Sequence, residues 1–229
     1  MNAASPYGSG PLGGSSQVMR GGSDKAMIEL TTTMQEAVER ARSLVDQGEY
    51  ILGTGNYRPY QDANGNMVDL PYTQHGGAGP LGSDCAGFAI CWCYKIVRHQ
   101  PGFNAGSWAT VSDDINADSV IEDARHNQEL GTVITTPVAG AWLLYPTIRD
   151  PRNPLPFIGH VSIIESVPAE FDADSPDYRL LTVIQCCGPN GHTPAIIRSD
   201  GQYWWHHDQL WPKPQHRSVM VLPKAPDGA

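Results

Sequence analysis

Cys85 stands in the run Asp84-Cys85-Ala86-Gly87-Phe88, after a glycine-rich stretch and at the head of an apolar segment. A cysteine in the first turn of a helix meets the positive end of the helix dipole. It also meets backbone N–H groups with no intrahelical partner. Both favour the thiolate, and the same N–H groups can hold an oxyanion. The plain alternative is an inert core cysteine, as free cysteines commonly are. A nucleophilic thiol needs a base. His160 opens the run Gly159-His160-Val161-Ser162-Ile163-Ile164, whose β-branched residues predict rigid strand backbone under the imidazole. The alternative is a histidine that merely ends a strand at the surface. A third polar group should orient the imidazole and fix its tautomer. Gln185 lies amid apolar residues of the next strand. A buried amide without a partner is costly, so Gln185 is either in water at the strand end or bonded to something specific. Asn190, in the turn Gly188-Pro189-Asn190-Gly191, is its rival, with simple turn chemistry as the alternative.

These residues need elements to hold them. Residues 32–48 have an amphipathic helical pattern that Thr32 or Thr33 can cap and Gly48 ends. Residues 50–83 read as a long irregular loop, a feature that is often functional. Residues 84–98 form a second helix, apolar nearly all round and therefore central, with Ser83 or Asp84 as its cap. A short helical stretch follows near 117–129. From about 132 the pattern turns to strands: Val133–Thr136, Ala141–Tyr145, His160–Ser166, Tyr178–Cys186, Thr193–Arg198, Gln202–Trp205 and Ser218–Leu222. Ser199-Asp200-Gly201 fits a hairpin turn. Helices first and strands after predict an α+β fold with an antiparallel sheet.

The chain has 229 residues, with 15 Lys+Arg against 24 Asp+Glu, a formal net charge of −9. The acidic balance argues against nucleic acid as the main partner and against a polybasic membrane-surface protein. No apolar run reaches the length needed to span a bilayer. Residues 1–25 are rich in Gly, Ser and Ala and read as a flexible tail, leaving 26–229 as one domain, taken as a monomer. The N-terminus lacks a basic n-region and an apolar h-region, so synthesis in the cytoplasm without a signal peptide is expected. The five cysteines, Cys85, Cys91, Cys93, Cys186 and Cys187, are odd in number and clustered, which suits a reducing compartment better than a disulfide framework. Neither Cys91-Trp92-Cys93 nor the Cys186-Cys187 pair has the spacing of a zinc site, so no metal or other cofactor is expected. His206-His207-Asp208 reads as a solvated turn. Tyr203, Trp204, Trp205 and Trp211 form an aromatic cluster that is either core or a groove wall stacking on sugar or peptide, with Trp204 as the candidate contact.

The segment Asp84-Cys85-Ala86-Gly87-Phe88 resembles the D-C-(S/A)-G-(L/F) nucleophile motif of the NlpC-type peptidases, papain-like and CHAP-related enzymes that cut bacterial cell-wall peptides. Pro137-Val138-Ala139-Gly140-Ala141-Trp142-Leu143 is similar to that family's P-x-x-G-D-L strand, with Ala141 in place of the acid, and Gly159-His160-Val161-Ser162-Ile163 to its histidine motif. Tyr50-Ile51-Leu52-Gly53 resembles the Y-x-(W/L)-G segment that helps line the site. The four segments occur in the family's order. The resemblance implies a papain-like fold and a cysteine endopeptidase or amidase acting on peptidoglycan peptides. Cys85 would be nucleophile, His160 base and Gln185 orienting residue, with Tyr50 and Asp84 beside the substrate. A standing thiolate–imidazolium pair is one form such a site takes. It also implies delivery to the wall by phage lysis, a virion or a secretion machine. Two other functions fit the scaffold: an inactive phage structural or peptidoglycan-binding module, and an acyl-transferring enzyme.

Overall fold

The computed structural model describes residues 34–53, 55, 59–61, 67–69, 82–98, 103, 114–149, 157–189 and 191–224. The expected tail over 1–25, the Thr32 and Thr33 caps and Asn190 lie outside them. Helix α1 (Met34–Ser43) buries Ala37, Val38 and Ala41. It ends earlier than its apolar pattern suggests because the chain turns to pair with the sheet: the Asp46 N–H donates to the Ile196 carbonyl at 2.8 Å. Strands β1 (Glu49–Tyr50) and β4 (Gly82–Ser83) pair in parallel, with Tyr50 opposite Ser83. This register brings Tyr50 beside the segment that starts with Asp84. The expected irregular loop between them carries a short antiparallel pair, β2 (Pro59–Gln61) and β3 (Met67–Asp69).

The Cys85 helix follows, with π-helical turns over Gly87–Trp92. Asp84 caps it, its Oδ1 accepting from the Gly87 N–H at 2.7 Å. The helix is buried on nearly every side, and Phe88, Ala89, Ile90, Cys91 and Cys93 have no exposed surface. It ends at Tyr94, short of the expected residue 98: Lys95 has φ +56°, and Val97 beyond it is 38% exposed. Helix α2 (Ala117–Arg125) opens on a reciprocal cap between Asn116 and Ser119.

The fold is α+β. Its sheet has six strands, ordered β5 (Gly131–Ile134), β10 (Val219–Pro223), β6 (Trp142–Tyr145), β7 (His160–Ser166), β8 (Thr182–Cys186) and β9 (Ile196–Asp200). Every neighbouring pair in it is antiparallel. Both faces are covered, which is why β6 and β7 read as continuous apolar runs rather than alternating ones. Trp142, Leu144, Val161, Ile163 and Ile184 pack with α1, the Cys85 helix and α2. Ala141, Leu143, Tyr145, Ile164, Val183 and Trp204 form the core on the opposite face. Gly140, before β6, has φ +92°, and a Cβ there would come within 2.4 Å of the Met34 side chain. Glycine at this position therefore serves both the turn and the packing of α1.

The region after β9 departs from the expected strands. Residues Gln202–Leu210 are helix α3, not a strand from Gln202 to Trp205, and Ser199-Asp200-Gly201 is not a hairpin turn. Ser199 and Asp200 continue β9, and Gly201 starts the helix. Gly201 presses on the Tyr178 carbonyl so closely that a Cβ would lie 2.1 Å from that oxygen. Aromatic residues favour strands on propensity. Here burial of Trp204 and His207, three apart on one helix face, decides instead. Tyr178–Leu180, read as the start of a strand, is a 3₁₀ turn before β8.

Candidate active site

Cys85 lies against the end of the strand that His160 opens. The backbone N–H groups of Val161 and Ala86 are turned toward the Cys85 sulfur and favour its thiolate. Val161 is the residue after His160, so the thiol lies against the strand position next to the imidazole. By strand alternation Val161 faces the Cys85 helix, whereas His160 shares the face of Tyr145. Thiol and imidazole can therefore meet only around the sheet end. No hydrogen bond joins them in this arrangement, as is common for a nucleophile and base before substrate binds.

The imidazole is held from behind. His160 Nε2 lies 2.7 Å from Gln185 Oε1. Gln185 Nε2 donates to Ser199 Oγ at 2.7 Å, and that hydroxyl donates to the Asp200 carbonyl at 3.0 Å. The chain has one consistent direction. With the Gln185 amide N–H₂ engaged by Ser199, its oxygen faces the ring and accepts from Nε2–H, leaving Nδ1 as the free base. Gln185 has no exposed surface, so it is the bonded amide and not one at a wet strand end. Ser199 escaped sequence reasoning because it looked like a turn residue. Trp204 and Tyr145 pack on the same ring, with centroids 5.5 and 5.7 Å away.

This corrects the reading of Trp204 as a substrate contact. Trp204 is wholly buried under the sheet and backs His160, while its neighbour Tyr203, 55% exposed, reaches the groove. His206-His207-Asp208 is likewise helix and not a solvated turn. His207 is buried and stacks on Tyr145 at 4.4 Å, its Nδ1 3.3 Å from Asp208.

Asp84 lines the cavity at Cys85, yet its carboxylate is already engaged. Arg98 donates to both oxygens at 2.9 and 2.7 Å, and Gly53 N–H to Oδ2 at 3.0 Å. Arg98 also bonds Asp114 at 2.8 Å and the Gly55 carbonyl at 3.3 Å. One guanidinium thus ties together the loop after β1, the start of the Cys85 helix and the entry to α2. Nothing in the sequence marked Arg98, because its partners are distant in the chain.

Burial pushes the Cys85 thiol up to about 12, with the Asp84 charge adding to it. Burial pulls His160 down to about 4, opposed by its bond to Gln185. Both directions oppose a standing thiolate–imidazolium pair, so the resting forms are thiol and neutral imidazole. Burial also holds the Tyr50 and Tyr145 phenols above their usual range, so both remain O–H donors beside the groove.

Two cavities meet at this point. One, of about 150 Å³, holds Cys85, Asp84, Asp114 and Asp118. The other, of about 440 Å³, holds His160, Gln185, Tyr145, Cys187 and Tyr203. Tyr50, Leu52, Ile158 and Gly159 line both, so they form one groove passing the thiol and then the imidazole. Compared with protein-family models, curated proteins and solved structures, the chain matches none. All five cysteines are free. Among the described residues no group of three or more His, Cys, Asp or Glu is placed to hold a metal ion, and no helix is long and apolar enough to cross a membrane.

Two outcomes follow from this geometry. Gln185→Leu should release the His160 ring to both tautomers, and Ser199→Ala should do so to a lesser extent, because each weakens the hydrogen-bond chain that holds Nε2–H. Nitrogen-15 chemical shifts of the imidazole in the two variants check the order. The second outcome concerns acid. The folded pKa of His160 is about 4, below its unfolded value of 6.5. Between these values the unfolded chain binds more protons, so the contribution is complete above pH 6.5 and lost as pH falls toward 4. It amounts to roughly 3 kcal/mol. Urea unfolding at pH 6.5 and 4.5 should show a steeper loss for the wild type than for His160→Gln.

Proposed function

We propose that the chain is a cysteine amidase or endopeptidase that cleaves amide bonds in peptidoglycan peptides, on a papain-like NlpC-type fold. The observation that carries the reading is the oriented imidazole: His160 fixed by Gln185 at 2.7 Å, with the Cys85 sulfur at the N–H of the next residue. The four motif segments supply the substrate class. Ala141, which departs from the family's acid, is fully buried away from the groove and does not touch the chemistry.

Because the resting pair is neutral, the proton leaves the thiol as the bond forms. His160 Nδ1 takes it while Cys85 Sγ attacks the amide carbonyl. Backbone N–H groups at the helix start hold the oxyanion. The imidazolium then gives its proton to the leaving nitrogen as the C–N bond breaks. Water, activated by the same imidazole, releases the acyl group and restores the thiol. Digestion of purified peptidoglycans with mass analysis of fragments, wild type beside Cys85→Ala, tests the reading. New peptide ends should appear with the wild type alone.

A second reading is a non-enzymatic module with an idle site. It is favoured by the missing thiol–imidazole bond and by the shifts that keep both groups neutral. Under that reading neither the wild type nor His160→Ala releases amines from peptidoglycan. Under ours the wild type does, and the replacement removes nearly all of that release.

A further inference from the structure

The groove is unlike at its two ends. The Cys85 end carries the carboxylates of Asp84, Asp114 and Asp118, with Arg98 as the one cation among its described lining residues. The His160 end has no Asp, Glu, Lys or Arg among the described residues that line it. Its rim is apolar and open: Tyr203, 55% exposed, lines this end alone, and Leu52 (52%) and Ile158 (40%) stand where the two cavities join. Elementary chemistry assigns each end to one half of the substrate. His160 must pass its proton to the leaving nitrogen, so the half that departs as an amine occupies the cavity beside the imidazole. The half that becomes acylated stays with Cys85.

We infer that the enzyme selects a leaving amine whose side chain is uncharged, with Tyr203 reading it and Leu52 and Ile158 bounding it at the junction of the two cavities. A charged side chain there would lose water and meet no counter-ion among these residues, whereas a methyl or small apolar group would gain contact with the rim. This rests on the proposed amidase reading and sharpens it. Among wall amides, it favours cuts that free the amine of an alanine or glycine over cuts that free the amine of lysine or diaminopimelate, whose side chains carry charge.

The test labels the new amino termini in digests of purified peptidoglycans, one wall with a lysine stem and one with diaminopimelate. The expected result is a labelled α-amine on alanine or glycine. A label on the diamino acid's newly freed α-amine overturns the inference while leaving the amidase reading standing. No new amine from any wall overturns both. Tyr203→Arg adds an independent arm, since the residue is exposed and the exchange should not disturb folding. It should lower kcat/KM for the wild-type cut about 10-fold while iodoacetamide alkylates Cys85 at the wild-type rate. An unchanged kcat/KM in both Tyr203→Arg and Leu52→Lys counts against the rim as the reader.

Discussion

Exchange of His160 for alanine is expected to cut the rate of amide cleavage about 10³-fold, with the fold retained. In the proposed mechanism the imidazole is the base for the thiol and the acid for the leaving nitrogen, and a positioned group in those roles contributes on the order of 10²- to 10⁴-fold. The pH profile separates this account from a standing ion pair. In the wild type the base must be neutral, so the rate should rise with pH through about 4 and hold across neutrality. The resting thiol should behave differently toward a small alkylating reagent. With the Cys85 pKa raised to about 12, its alkylation should climb steadily with pH instead of reaching a plateau between pH 5 and 8. A plateau there would mean a preformed thiolate.

The second large effect is structural. Arg98→Met should cost about 3–5 kcal/mol, because it leaves Asp84 buried and without its ion partner. Asp84 and Arg98 are each 4% exposed. The Asp84→Asn/Arg98→Met double variant should recover part of that loss, since the buried Asp84 charge is gone and only Asp114, 17% exposed, loses its ion pair with Arg98. Urea unfolding of the single and double variants measures the coupling. Activity should not recover alongside stability. Arg98 also holds Asp114 and the Gly55 carbonyl, and the groove walls at Cys85 depend on those ties.

The two predictions mark where the sequence was informative. Cys85 and His160 were legible because their local context carries the signal: a capped helix start and the first residue of a β-branched run. Strand β7 was read residue for residue as His160–Ser166 for the same reason. Gln185 was legible as a polar residue that a buried strand could tolerate only with a partner. Arg98 and Ser199 were not, because their roles arise from register and from contacts across the fold. Ser199 bonds Gln185 only because β8 and β9 pair with Gln185 opposite Ile197. Trp204 was misread for a different reason. Aromatic clusters suit core, strand and groove alike, and only the helix that buries it against His160 decides among them.

The substrate end of the account is set by what the groove lacks as much as by what it holds. One end is acidic and tied by Arg98, and the other has no charged side chain among the described residues that line it. A hydrolase of this kind would read its substrate by which half it lets go.

The most direct test of the central claim follows Cys85 alkylation and amide release in the same samples. Iodoacetamide is added for graded times, the modified fraction of Cys85 is read by peptide mass, and residual release of amines from peptidoglycan is measured. Cys187 is half-buried and will also react, so its peptide is followed separately. The account predicts that activity falls in direct proportion to modification of Cys85, reaching zero when that thiol is fully alkylated. Wild-type release from protein whose Cys85 is completely modified would contradict it.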